Sequence, residues 1–319
     1  MTGSVPGPFS YVLRRVYNAD RVFKPTEQET GPIMATSHPK ASASAGAHLT
    51  EGPIAKTLFV FSLPILLGNV LQTLNGSINA IWVGRLLGET ALAATSNANF
   101  LMFFLISLSF GISMAAVILV GQNLGARRIQ EAKKVVGTST SFFFILSVIT
   151  GALGIVFSPG ILELLETPEE AMDMAIVYTQ IIFTGMPFLF GFSLIMAIMR
   201  GAGDSTTPFW FLLLATVLDI VLNPLLILGV GPLPGMGIAG SATAALIANF
   251  ISLILLMVWL YARKYFLRIT WSELHLLRMD WRIIKLTIQK GVPMGLNMVI
   301  VSLANLLLIQ IVNGFGTEA

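Results

Sequence analysis

Residues 214–229 read LATVLDIVLNPLLILG, an apolar run whose only charge is Asp219. A carboxylate at the centre of a membrane-spanning helix costs about 2.5–3.5 kcal/mol even on the lenient insertion scale. Whether the run is such a helix depends on what surrounds it. Hydrophobic residues make up 55% of the chain and charged residues 11%, against roughly 25% charged in ordinary soluble domains. Mean hydropathy is +0.81. A soluble protein of 319 residues could not cover its surface with so few charges. The composition defines an all-α polytopic membrane protein.

Seven apolar runs of about 20 residues or more follow from residue 57, each enough to cross a ~30 Å hydrocarbon layer as helix. They fall near 58–83, 97–121, 135–157, 176–199, 209–231, 237–261 and 288–313. Strands do not compete, because barrel segments alternate polar and apolar residues. Residues 1–50 differ: Pro, Ser, Ala and Gly with scattered basic residues read as a disordered cytosolic tail without a signal-peptide core. Met34 is an alternative start within it.

The basic residues orient the spans. The tail, the loop holding Arg127, Arg128, Lys133 and Lys134, the loop holding Arg200, and the segment 262–287 with its approach to span 7 all fall on one side. The other side holds only Arg85 of the nineteen Lys and Arg, and its loop from Glu163 to Asp173 carries five acids. Positive residues mark the cytosolic side, so the N-terminus is expected in the cytosol of a cell inner (cytoplasmic) membrane.

Chemistry classes drop out in turn. There is no cysteine, and His38, His48 and His275 lie outside the apolar runs, so no disulfide and no thiolate or poly-histidine metal site is expected. No cofactor and no nucleic-acid partner are expected either. An integral membrane enzyme would need a cluster of intramembrane His, Asp, Ser or Cys groups, and one Asp without a His argues against it.

Asp219 is the only one of sixteen acids inside a predicted span. It lies eleven residues past Pro208, about 16 Å into the helix and near the midplane. Asn223 follows at i+4 on the same face. Pro224 lacks an N–H, so the carbonyl of Ile220 loses its helical partner. A carboxylate, a carboxamide and a freed carbonyl within one turn suit a hard cation or a titrating proton. Span 1 offers a matching face: Gly68, Gln72, Asn75, Gly76 and Asn79 share one side of the helix. For Gln72 and Asn75, substrate-cavity lining and interhelical glue both remain open. Arg200 and Asp204 either pair across a turn or cap the next helix. The GxxxG spacings Gly84/Gly88 and Gly121/Gly125 indicate turns or close packing, and small residues from Gly237 to Ala245 indicate tight packing of span 6 on span 5. Met186, Phe188, Phe190 and Met196 could line a pliable drug cavity, with core or lipid-facing placement the simpler reading.

Span 7 restarts the pattern of span 1. Placing Pro64 over Pro293 aligns SLPILLGNVLQTLNGSINAIWVG (62–84) with GVPMGLNMVIVSLANLLLIQIVN (291–313), and after one gap LGETA (87–91) meets FGTEA (315–319). Both spans start on the cytosolic side, which makes the halves parallel repeats about an axis along the membrane normal. The pattern then breaks off five helices before a second lobe is complete, leaving span 7 with no lobe of its own to pack into. Val301, Ala304 and Leu308 stand where Gln72, Asn75 and Asn79 stand in span 1, so the polar face is not repeated.

From about residue 52 the chain resembles the multidrug and toxic compound extrusion (MATE) transporters. The resemblance rests on QTLNGSINAIWVGRLLGETALAA (72–94), VGQNLGA (120–126) with Gln122, RGAGDSTTP (200–208), DIVLNPLLILG (219–229) and GMGIAGSATA (235–244). It implies one six-helix lobe (51–261), a cytosolic interlobe loop (262–287) and the first helix of a second lobe (288–319). It also implies secondary active efflux of small organic, often cationic, compounds against H+ or Na+ by alternating access. Many members carry Asp at the position of Asn79, with Asn at that of Asp219 and Asp at that of Asn223. Here the cation site would comprise Asn79, Asp219 and Asn223 with one acid, which leans towards protons. A lipid-linked oligosaccharide flippase and a non-functional transporter fragment are the alternatives; no Lys or Arg lies within the spans to hold a flippase's pyrophosphate.

Overall fold

The computed structural model describes residues 53–165, 167–229 and 234–314. The tail 1–50 and the FGTEA match of the repeat lie outside the described residues. The described residues are almost entirely helical: α1 Ile54–Leu87, α2 Glu89–Gly125, α3 Ile129–Leu164, α4 Glu169–Thr184, α5 Met186–Gly201, α6 Thr206–Leu228, α7 Ile238–Ala262 and α8 Trp281–Gly314, with a 3₁₀ turn at Trp271–Leu277. Among the described residues α1, α3, α6 and α7 are each long and apolar enough to cross a membrane, and α4 with α5 makes a fifth crossing bent by 52°. The two remaining apolar runs sit within α2 and α8. All seven expected spans are therefore helical.

The departures concern where helices start and bend. α2 begins at Glu89, well before the apolar run at 97, because Ala, Leu and Glu in ETALAA favour helix without raising hydropathy. Gly88 alone, at φ 89°, turns the chain from α1 into α2. The fourth span is two helices because Pro187 in the first turn of α5 has no N–H for the Phe183 carbonyl, so the ladder breaks at Gly185. The segment expected as a loop up to 287 is already helix from Trp281.

Two packing contacts set the frame for the site. α6 lies against α1 on one side and α7 on the other. α7 reaches α6 because Gly240 has no side chain; a Cβ there would meet the Leu226 carbonyl at 2.5 Å. The seventh span does find a partner, contrary to the expectation above. α8 docks along α2, where a Cβ on Gly111 would strike the backbone of Gly291 and Gly295. Glycine on both surfaces lets the backbones approach as small-xxx-small contacts do in bilayers. Met186 and Phe190 are buried in the central core with Phe143 and Phe183, and Met196 is buried between α5, α6 and α7. Phe188 meets Phe250 edge-on at 4.8 Å. Met186, Phe190 and Met196 are core packing, and Phe188 is part-buried. α1 instead shows Leu58, Phe59, Leu66 and Val70 on its outside, as a helix facing lipid should.

The segment between α7 and α8 is clasped to the start of α3. Thr270 and Glu273 form a capping box on the 3₁₀ turn, Lys133 Nζ donates to both Glu273 oxygens at 2.7 and 2.9 Å, and Lys134 pairs with Asp280 at 3.0 Å. Ser141 Oγ donates to the Leu277 carbonyl at 2.7 Å. The two most basic loops thus meet on one face, as their shared charge required. Lys133, and then the Thr270 backbone N–H, pull the Glu273 carboxyl from 4.5 to about 2. A depressed carboxylate stabilises the fold above its unfolded value and loses that contribution as pH falls through the folded one. Glu273→Gln should therefore lower the melting temperature of the purified chain at about pH 6, by the equivalent of about 1 kcal/mol or less for a pair near the surface. The gap between variant and wild type should close on acidification from about pH 4.5 towards 2; a pH-independent gap would assign the loss to packing.

Candidate functional site

The Asp219 side chain is 5% exposed and that of Asn223 1%. α1 supplies one donor and one acceptor. Asn75 Nδ2 donates to Asp219 Oδ2 at 2.9 Å, and one turn further along both helices Asn223 Nδ2 donates to Asn79 Oδ1 at 3.0 Å. The two bonds are rungs of a ladder between helices running in the same direction, four residues apart on each. That is what i, i+4 spacing on both partners produces when the helices are parallel. Ser241 Oγ, in the first turn of α7, donates to the same Asn79 oxygen at 3.0 Å. Three helices meet on Asn79.

The structure thus brings together Asn79, Asp219 and Asn223, the expected cation group, and adds Asn75, which the sequence reading had left between cavity lining and glue. Gln72 is exposed and takes no part in the ladder, although it lies one turn before Asn75. Pro224 sits inside α6 beside Asn223, and the helix continues to Leu228. Asp204 caps α6, its Oδ1 accepting the Thr207 N–H at 3.0 Å, and forms no ion pair with Arg200. Gln122 is exposed, near the end of α2. Gly121 meets the Gly201 carbonyl across α2 and α5, so the packing reading of that GxxxG is the one realised.

One residue of the site is not legible in the sequence: Ser241 stands within a stretch of small residues that reads as packing. Tyr178 of α4 is buried among apolar neighbours, and nothing in its local sequence distinguishes it from a core tyrosine.

The hydrogen-bond inventory of this cluster is lopsided. Asp219 Oδ1, Asn75 Oδ1 and Asn223 Oδ1 are buried acceptors without a donor. Leaving one buried polar group unpaired costs about 1–3 kcal/mol, so these oxygens are placed to accept from a water, a proton or a cation. Among the described residues no group of three or more His, Cys, Asp and Glu side chains is placed to hold a metal. The arrangement is one anionic oxygen with neutral amide oxygens, a set suited to a proton or a monovalent cation.

An all-helical membrane bundle built around a single buried carboxylate is the class of protein these observations define. The MatE family model matches residues 64–225, from Pro64 within α1 to just past Pro224 in α6, and the chain belongs to that family. It is 39% identical over 264 residues to the protein named probable multidrug resistance protein YoeA of Bacillus subtilis, covering 83% of this chain and 57% of that one. To probable multidrug resistance protein YpnP of the same organism it is 33% identical over 268 residues, covering 84% and 58%. A crystal structure of MATE in complex with MaL6 superposes with a TM-score of 0.78 at 25% identity, over 86% of this chain and 60% of that one. The chain therefore spans a little over half the length of these relatives.

The ladder makes a direct prediction. Asn79→Ala strands two donors, Asn223 Nδ2 and Ser241 Oγ, and should cost about 1–3 kcal/mol in thermal or denaturant unfolding. Combining it with Asn223→Ala should cost less than the two single losses together, because the second change removes a donor already stranded. Strictly additive losses would show that the bond does not carry the effect.

Proposed function

We propose that this chain forms the N-terminal lobe, with the first helix of a second lobe, of a cation-coupled multidrug antiporter of the bacterial cytoplasmic membrane, its N-terminus in the cytosol. The observation that carries the reading is the cluster of three unpaired buried oxygens around Asp219. The names of YoeA and YpnP as probable multidrug resistance proteins support efflux of small organic compounds. The meeting of the two basic loops supports their common, cytosolic side. On this division residues 262–287 connect the lobes and 288–319 begin the second.

The mechanism follows from the donors and acceptors. With Asp219 ionised, the charge-assisted bond from Asn75 holds α1 on α6, and such bonds are roughly twice as strong as neutral ones. An inward-moving proton placed on Asp219 Oδ1 removes the charge and creates a donor, for which the amide oxygens of Asn75 and Asn223 are waiting acceptors. The first rung weakens and the local bonding is redrawn. The balance between two arrangements of α1 against α6 shifts, opening the lobe outward and releasing substrate. Sodium is the second reading, favoured by the same three oxygens acting as ligands. The single carboxylate favours the proton. No bond in the substrate is broken, so the lobe acts as a transporter and not as an enzyme.

The test is gradient-driven efflux of an organic cation dye by the full-length protein in vesicles. Asp219→Asn should lower coupled efflux by at least about tenfold, since it keeps the shape but removes the titrating group, while dye binding persists. Collapsing the pH gradient should abolish wild-type efflux, and collapsing a sodium gradient should leave it intact. Coupled efflux retained in the variant would remove Asp219 from the mechanism.

A further inference from the structure

A second polar site lies on the opposite chemical footing, at the clasp between α3 and the start of α8. A cavity of about 400 Å³ opens there, lined by Lys134, His275, Leu276, Arg278, Met279, Asp280 and Trp281. Its charge is set by pairing. Asp280 is answered by Lys134 at 3.0 Å, and Glu273 nearby by Lys133. Hydrogen bonding from Lys134, and then from the Arg282 backbone, holds the Asp280 carboxyl below its ordinary range, so it stays ionised and engaged. Arg278 is exposed and has no carboxylate partner among the described residues. Between 262 and 287 six cations (Arg263, Lys264, Arg268, Arg278, Arg282 and Lys285) face two acids, both already paired. The surplus is positive, and Arg278 of it lines the cavity.

Depth identifies the ligand. Lys134 stands at the edge of the apolar run that begins at 135. Trp281 opens α8 about 10 Å of helix before the apolar run at 288. The cavity between them lies at the level of the headgroup layer, since polar zones add roughly 5–8 Å to each side of a ~30 Å hydrocarbon core. Trp281 is 75% exposed and Trp271 90%. Two indoles so exposed are costly in water and well placed at a membrane interface, where tryptophan collects. A phosphate is the anion found at that depth.

We propose that this cavity binds the phosphate headgroup of an anionic phospholipid in the leaflet that α3 and α8 enter. Arg278 is the principal phosphate contact, Lys134 and His275 flank it, and Trp281 lines the cavity beside them. The site depends only on the membrane placement of α3 and α8 and not on what the lobe transports. Bound there, a lipid bridges the first lobe to the helix that begins the second.

Native mass spectrometry of the detergent-solubilised chain tests this, with dioleoylphosphatidylglycerol, dioleoylphosphatidylcholine and inorganic phosphate as probes. One phosphatidylglycerol should be retained in preference to phosphatidylcholine. Arg278→Gln should weaken its retention about fivefold, the effect of one basic residue at an anionic surface. Arg278→Lys should restore most of the binding, and Arg85→Gln, on the opposite side, should leave it unchanged. Circular dichroism confirms that the variants remain folded. Equal retention of phosphatidylglycerol by Arg278→Gln and wild type overturns the site. Equal retention of both lipids by wild type reduces it to apolar adhesion, and displacement of the lipid by inorganic phosphate would make a soluble anion the ligand.

Discussion

A carboxylate at the centre of an apolar helix must find hydrogen-bond donors on a neighbouring helix, and here it finds them on α1. The bond from Asn75 to Asp219 and its partner from Asn223 to Asn79 fix three things together: the direction of α1 relative to α6, their register, and the depth of the cluster. α7 is drawn into the same arrangement because Ser241 shares the Asn79 oxygen, and Gly240 beside it lets the helix come close enough to do so. Around this tie the helices of the membrane core pack mainly by apolar contact, which in lipid discriminates weakly between registers; the clasp on α3 and the bond from Asn97 to Thr167 are the polar exceptions. The polar ladder supplies the specificity that hydrophobic burial cannot.

The ladder does not satisfy every atom in it. In this geometry the carboxamide oxygens of Asn75 and Asn223 and the second oxygen of Asp219 take no hydrogen bond from another side chain. A purely structural tie could have been made with neutral residues without the insertion cost of an acid. Unanswered oxygens around a buried carboxylate are what the proposed uptake of a cation would use. Its location, where α1, α6 and α7 meet, lets a small change of charge bear on three helices.

Much of this was legible in the sequence because membrane helices are written in composition. The seven runs, the basic side and the i, i+4 relation of Asp219 and Asn223 need no tertiary information. The grouping of Asn79 with Asp219 and Asn223 comes from the family resemblance, and Asn79 lies on the polar face of span 1 that the spacing shows. Other features depend on contacts that a linear reading does not contain. Ser241 is polar in a stretch that otherwise reads as small packing residues, and Tyr178 resembles any buried aromatic. α2 starts early because helix propensity and hydropathy are different quantities. The α4–α5 bend depends on one missing N–H at Pro187. The docking of α8 on α2 is carried by Gly111, Gly291 and Gly295, whose meaning appears only when the two backbones lie side by side. The clasp of Lys133 on Glu273 joins residues 140 positions apart.

The central claim is that the Asp219 carboxyl is the group that a cation neutralises. Infrared difference spectroscopy on the full-length protein observes that group directly. Spectra are taken on switching between high and low proton or sodium concentration, with Asp219→Asn as the reference. The account predicts one carboxyl or carboxylate band that responds to the cation in the wild type and is missing from the variant. Identical difference spectra from the two proteins would mean that the cation acts elsewhere, and would reduce the ladder between α1 and α6 to a structural tie.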